Sequence, residues 1–262
     1  MGIGKQGQAS RLNEKAVKED AKNAFINAKR EAFMQRKKLI DQQSGYLLCG
    51  ISGDPGTGKT GLSIDCRTEE EKDTHWVFIL DFDEGAEPTW RQHWSSDDKV
   101  FGEEEIEIKA VKAVVFDGLD TWLDTTNMIA RLNHIKGNDP RLADKVKMVP
   151  TQWFARTQEY QRLFKAACQL NCHKFFITHM KDMHDGFEIV GQKPDWEKST
   201  TAKLFQHVHT YREERAGVTK LYGKVLKSKT NAENEGQSFL LFENNKGDVT
   251  WNGLEAIKEN KL

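Results

Sequence analysis

Several things are scarce in this chain of 262 residues. No apolar run approaches the roughly 18 residues that a membrane span needs. The opening residues, Met1-Gly2-Ile3-Gly4-Lys5-Gln6, carry no apolar core of a signal peptide. A soluble, cytoplasmic protein with no membrane partner is therefore expected. Neither sign of charge dominates: 39 Lys and Arg stand against 40 Asp and Glu, a formal net charge of −1. The chain as a whole is thus no polyanion binder, and any contact with nucleic acid must come from a local basic surface. Cysteine is sparse, with Cys49, Cys66, Cys168 and Cys172. Cys168-x-x-x-Cys172, followed by His173, matches no standard zinc spacing, so reduced, partly buried thiols are expected instead of a metal site. Internal repeats, low-complexity tracts and long flexible linkers are also missing.

What the chain does have is a phosphate-binding signature. Gly53-Asp54-Pro55-Gly56-Thr57-Gly58-Lys59-Thr60 fits G-x-x-x-x-G-K-[ST]. The strand-like Tyr46-Leu47-Leu48-Cys49-Gly50-Ile51 precedes it, and Gly61 to Cys66 can continue as a helix. The glycines let successive backbone N–H groups close around phosphate oxygens. Lys59 would reach the β and γ phosphates, and the Thr60 hydroxyl can ligate Mg²⁺. A nucleoside triphosphate, ATP with Mg²⁺, is the implied ligand, held by residues 53 to 61 including Gly61.

Downstream, Ala113-Val114-Val115-Phe116-Asp117 is an apolar strand ending in a carboxylate, which suits Asp117 to Mg²⁺. Parallel strands deliver their C-terminal residues to one edge of a sheet, so this carboxylate and the P-loop can meet. Between them, Leu80-Asp81-Phe82-Asp83-Glu84-Gly85 ends a strand in carboxylates, one of which could orient an attacking water.

Short apolar runs at His75–Asp81, Val111–Asp117 and His173–His179 alternate with helical stretches such as Thr151–Leu170, the signature of a parallel sheet covered by helices. From about Leu204 to Trp251, short alternating segments, among them His207–Arg212 and Ser238–Phe242, are expected to be antiparallel strands extending that sheet. Residues 1–44 are expected to form a helical extension for docking or oligomerisation. Within it, Phe25, Ala28, Ala32 and Leu39 fall on one helical stripe, with no glycine or proline between Ser10 and Gln42. Residues 45–262 would form the catalytic core.

The order of P-loop, strand ending Leu80-Asp81-Phe82-Asp83-Glu84, Pro88, the Asp117 strand and then Phe175-Phe176-Ile177-Thr178-His179 resembles the core of the RecA superfamily. In size and layout the chain is most similar to phage-encoded RecA-like ATPases associated with single-strand annealing. The resemblance implies an α/β fold, a RecA-like P-loop NTPase with a mainly parallel sheet covered by helices and antiparallel strands near the C-terminus. It implies an acidic water-activating residue after the second strand. A gapless register points to Asp83, whereas side-chain length and the adjacent Gly85 favour Glu84, which we rank first. It also implies a γ-phosphate sensor at the end of the fourth strand, where His179 stands in place of the more usual glutamine.

Within Val225-Leu226-Lys227-Ser228-Lys229-Thr230, Lys227 and Lys229 resemble paired lysines that reach a neighbouring subunit's γ phosphate, and strand periodicity puts both on one face. The resemblance places single-stranded DNA on two loops. One carries Lys136, Arg141, Lys145 and Lys147 with Trp153 nearby; the other carries Lys181, Phe187, Lys193, Trp196, Lys198 and Lys203. Implied partners are single-stranded DNA, further copies of the chain in a filament or ring, and a single-strand-binding protein, with action in phage recombination or replication in the host cytoplasm. Two other classes share a P-loop: a nucleotide kinase, with 127–150 as a lid, and an ATP-switched helicase loader or interaction module.

Overall fold

In the computed structural model, residues 45–96, 100, 111–133 and 147–262 are described. Contacts divide the chain between Gly45 and Tyr46, and the elements below all belong to the unit Tyr46–Leu262. The expected helical extension over 1–44 lies outside the described residues.

The elements follow in the order β1 (Leu48–Gly53), α1 (Lys59–Ile64), α2 (Glu69–Lys72), β2 (Trp76–Asp81), α3 (Ala86–His93), β3 (Val111–Asp117), α4 (Leu119–Leu132), α5 (Pro150–Ala167) and β4 (His173–Thr178). Then come β5 (Met180–Asp185), β6 (Glu188–Pro194), α6 (Thr200–Lys203), β7 (Gln206–Arg215), β8 (Val218–Ser228), β9 (Ser238–Asn245), β10 (Asp248–Trp251) and α7 (Gly253–Lys258). The main sheet has the order β10-β9-β8-β7-β1-β4-β3-β2. Five strands, β2, β3, β4, β1 and β7, run parallel; β8, β9 and β10 continue antiparallel. This is the expected α/β architecture, a mainly parallel sheet with helices and an antiparallel extension near the C-terminus. His207–Arg212, expected as an antiparallel extension, lies in β7, which pairs parallel with β1 and antiparallel with β8. It closes the parallel set instead of beginning the extension. No described helix is long and apolar enough to cross a membrane.

Strand alternation explains why the central strands are apolar throughout. Ala113 and Val115 pack into one core with Cys49, Ile51, Leu62, Phe175, Ile177 and Val208. Val114 and Phe116, pointing the other way, join Leu48, Leu123, Tyr160, Phe164 and Phe176. A sheet buried on both faces loses the polar half of its pattern. On the second face Phe116, Phe176 and Phe164 stack in sequence, with centroids 4.9 and 4.7 Å apart.

The antiparallel extension is fastened to the helix that follows the P-loop. Asp65, just past α1, accepts from the N–H groups of Gly253 and Leu254 at the start of α7, at 2.7 and 3.2 Å. A Cβ on Gly61 would stand 2.0 Å from the Trp251 ring, so only glycine lets β10 come this close to α1. The helix expected from Gly61 to Cys66 accordingly ends at Ile64.

Candidate functional site

The P-loop leaves the C-terminal end of β1, which is buried along its whole length between β4 and β7. Gly56 and Gly58 take φ values of 72° and 83°, a left-handed backbone that β-carbons disfavour. Thr57 steadies the loop by donating to the Asp54 carbonyl at 2.7 Å and sharing a 2.7 Å hydrogen bond with Thr210 on β7. Lys59 is 7% exposed, and its ammonium donates to the carbonyls of Gly53 (3.1 Å) and Asp54 (2.9 Å), spanning the loop. Burial lowers its pKa.

β3 brings Asp117 alongside. Its Oδ2 accepts from the Thr60 hydroxyl at 2.7 Å. Burial pushes the Asp117 carboxyl up to about 6, against the Thr60 hydrogen bond. A hydroxyl and a carboxylate, both hard oxygen donors, with a carboxylate whose charge is poorly compensated, suit Mg²⁺. Residues Thr60 and Asp117 therefore fit the ion that the P-loop implies.

The turn after β2 delivers the third group. Asp81 accepts from the N–H groups of Gly85 and Ala86, opening α3, while Asp83 accepts from Gly85 and packs over Gly118. A Cβ on Gly118 would approach the Asp83 carboxyl carbon to 3.0 Å. Burial, and then the neighbouring Asp81, raise the pKa of Asp83. Glu84 takes φ 60° and is exposed, outside the lining of the cleft. Of these two carboxylates the cleft that holds the P-loop is therefore lined by Asp83 and not by Glu84, which the sequence ranks first. The left-handed turn at Glu84 swings the longer side chain outward.

His179 follows the last residue of β4 and completes a cleft of about 430 Å³, whose walls are the P-loop from Pro55 to Gly61, Asp83, Gly85, Thr89, Asp117 and His179. A cavity of about 480 Å³ between β9 and α7 contains none of these groups.

Lys227 and Lys229 lie elsewhere. Gly53 pairs with Thr210, but Lys227 is opposite His207 and Ser228 opposite Gln206, four positions down β7 from Thr210. At about 3.3 Å per residue that is roughly 13 Å away, toward the other end of the sheet. Lys227 donates to the carbonyls of Thr201 (2.6 Å) and Ala202 (3.3 Å), and Lys229 to Ala202 (3.3 Å). The two side chains do share one face.

Of the residues expected on DNA, Lys136, Arg141 and Lys145 lie outside the described residues. Lys147 is exposed before α5, and at the start of α5 the sequence reading noted Trp153 but missed two neighbours. Phe154 is 64% exposed, and the Arg156 guanidinium stands 5.1 Å from the Trp153 ring centre. An aromatic pair next to a basic residue on a helix start was the available signal. The second expected loop is a hairpin, β5–β6, with Phe187 fully exposed at its tip. Lys181 and Lys193 face each other across it, Lys181 pairing with Asp195 at 3.2 Å, and Lys198 is exposed beyond. Trp196 is a correction. It is 7% exposed, packs on His207 and donates to Thr201 at 3.0 Å, so it anchors the hairpin's base in the core and offers no ring to a base.

No protein-family model matches this chain, and no curated protein does. Among solved structures, the RadB recombinase is similar at 12% identity and a TM-score of 0.42, covering 78% of this chain and 89% of that one. A KaiC-like protein from Pyrococcus horikoshii OT3 is similar at 11% identity and a TM-score of 0.42, covering 78% and 88%. Likenesses of this kind concern outline, and the chemistry of the site rests on its own geometry.

Proposed function

We propose that the chain is a RecA-like ATPase that binds single-stranded DNA, assembles with copies of itself and serves phage recombination or replication through strand annealing. The observation that carries the ATPase reading is the convergence of Lys59, Thr60, Asp117, Asp83 and His179 on one cleft, from four different segments of the chain. When bound, Mg²⁺ supplies charge neutralisation between the phosphates, and Thr60 and Asp117 would hold it. Lys59 exchanges its loop carbonyls for phosphate oxygens. Asp83 accepts a proton from the attacking water as the new oxygen–phosphorus bond forms and the bond to the leaving ADP breaks; its raised pKa suits that role.

DNA binding is supported by Lys147, Trp153, Phe154 and Arg156 together with Lys181, Lys193 and Lys198, cations beside exposed rings that suit a strand of any sequence. Assembly is supported by Lys227 and Lys229, which are out of reach of their own P-loop, so that any phosphate they meet belongs to a neighbour.

The test is ATP turnover measured with and without single-stranded DNA. The wild type should hydrolyse ATP and be stimulated by the strand. Lys59→Ala should remain folded and lose turnover by about a thousandfold or more, because the bonds this lysine makes are to carbonyls of its own loop and not to side chains of the core. Normal turnover in that variant, or indifference of the wild type to DNA, would overturn the corresponding half of the reading.

A further inference from the structure

One acidic residue that the sequence motifs pass over holds His179 in place. Asp120 stands in the first turn of α4, three residues after Asp117. Its Oδ2 lies 2.9 Å from His179 Nδ1, and its Oδ1 lies 3.5 Å from the Thr178 hydroxyl oxygen. Thr178 donates its one hydroxyl proton to the Asp195 carbonyl at 2.9 Å, and the Asp195 N–H donates to the His179 carbonyl at 2.9 Å. The imidazole is thus held through its ring by α4 and through its backbone by the base of the hairpin.

An ionised carboxylate can only accept, so Nδ1 carries the proton and Nε2 is left for the cleft that His179 lines. The charged groups facing the ring are Lys59 from α1, Asp83 from the turn after β2 and Asp120 from α4. Polar atoms of Asp83, Asp120 and His179 all lie within 4.8 Å of one another. The Asp120 hydrogen bond raises the pKa of His179, against burial and Lys59. Burial works to raise Asp120, but its bond to His179 prevails and holds it below its ordinary value. Both shifts describe one ion pair.

We propose that Asp120 is a positioning residue for ATP hydrolysis: its carboxylate locks the His179 ring against the end of β4 so that Nε2–H is presented to the phosphoryl group. The inference rests on the ATPase reading above. A carboxylate that orients an imidazole sets which nitrogen bears the donor and stabilises the imidazolium, so the phosphate meets a cation of fixed direction.

The experiment compares Asp120→Asn, Asp120→Glu and His179→Gln in the full chain, following kcat and KM for ATP across pH. Asp120→Asn should leave KM within about threefold and lower kcat at least about tenfold. Its alkaline limb should move to lower pH, because an imidazolium without its carboxylate loses its proton earlier. Asp120→Glu should restore part of both. In a His179→Gln background, Asp120→Asn should cost less than about twofold, since there is no ring left to orient. An unchanged kcat and pH limb, or an equal loss in both backgrounds, would overturn the proposal. If Asp120→Asn does not fold, an NMR titration of His179 in the wild-type chain decides: a pKa above 6.5 supports the lock and one at or below it refutes it. A wild type that never turns over ATP would refute the ATPase reading instead, while the same titration would still report whether the ion pair exists.

Discussion

Lys59 and the pair Lys227 and Lys229 stand toward opposite ends of the same strands, and all three ammonium groups donate to backbone carbonyls. Their settings differ. Lys59 is buried in a loop shaped by left-handed glycines and braced on β7, with Asp117 and Asp83 among the charges around it. The other two lie near the outer surface of β8, on the last carbonyls of a four-residue helix. A buried lysine among carboxylates is placed for one ligand, whereas a half-buried and an exposed lysine at the far end of a strand can serve only something brought to them. What distinguishes the two is the surroundings, since the local hydrogen bonds are alike.

That contrast can be broken by removing the pair on the far side. Lys227→Ala with Lys229→Ala should keep ATP binding through the intact P-loop but lower turnover by about a thousandfold, as removal of a cation supplied in trans does. Mixing these subunits with Asp83→Asn subunits, which retain both lysines, should recover part of the rate. Full turnover in the double variant, or no recovery with mixed assembly verified, would reduce the pair to surface lysines, which are worth little.

A second effect concerns how the P-loop strand is held to β7. His207, 4% exposed, shares a 2.9 Å hydrogen bond with Ser52 on β1, and burial, then His209 and Lys227, bring its pKa down to about 4. With the folded value below the unfolded one near 6.5, the unfolded chain binds the proton more tightly. Stability is therefore full above about pH 6.5 and falls as pH drops toward 4, by roughly 3 kcal/mol from this residue. Denaturant titrations at several pH values check this, and His207→Gln should flatten the acid slope.

At the edge of the cleft, Asp83 inside it and Glu84 outside it repeat the contrast between enclosed and exposed groups at adjacent positions. Asp83→Asn should slow turnover at least about a hundredfold with nucleotide affinity kept, and Glu84→Gln should stay within about threefold. Steady-state kinetics with a nucleotide-binding assay tests the order, and the reverse ranking would return the role to Glu84. The smallest expected effect is structural. Gly61→Ala would drive a methyl group into the Trp251 ring, costing about 2 kcal/mol in a denaturant titration, unless β10 yields. An unchanged midpoint would mean that the extension is less firmly fastened to α1 than its contacts suggest.

How much of this could be read in the chain varies with the range of the contact. The P-loop and the Asp117 strand were legible because their chemistry needs residues at fixed short spacings. The choice between Asp83 and Glu84 was not, since it turns on the left-handed φ of Glu84 and the closeness of Gly118. Trp196 was misjudged for a related reason. A tryptophan between lysines looks like a stacking platform, but its ring is drawn inward against Gly50 and His207, residues far from it in sequence. Asp120 was passed over because three residues after Asp117 is an unremarkable spacing until α4 places it beside β4.

By itself, the sequence determined that a glycine-rich P-loop follows a buried strand, that a second apolar strand ends in a carboxylate, and that strands alternate with helices, since all of these depend on local spacing and periodicity. Only the tertiary structure decided that β7 lies against the P-loop strand, which carboxylate faces the cleft, that Asp120 holds His179 and that Lys227 and Lys229 lie toward the other end of the sheet from their own P-loop. Those outcomes depend on contacts between segments tens of residues or more apart in the chain, where strand order and side-chain packing, and no spacing in the chain, set the distance.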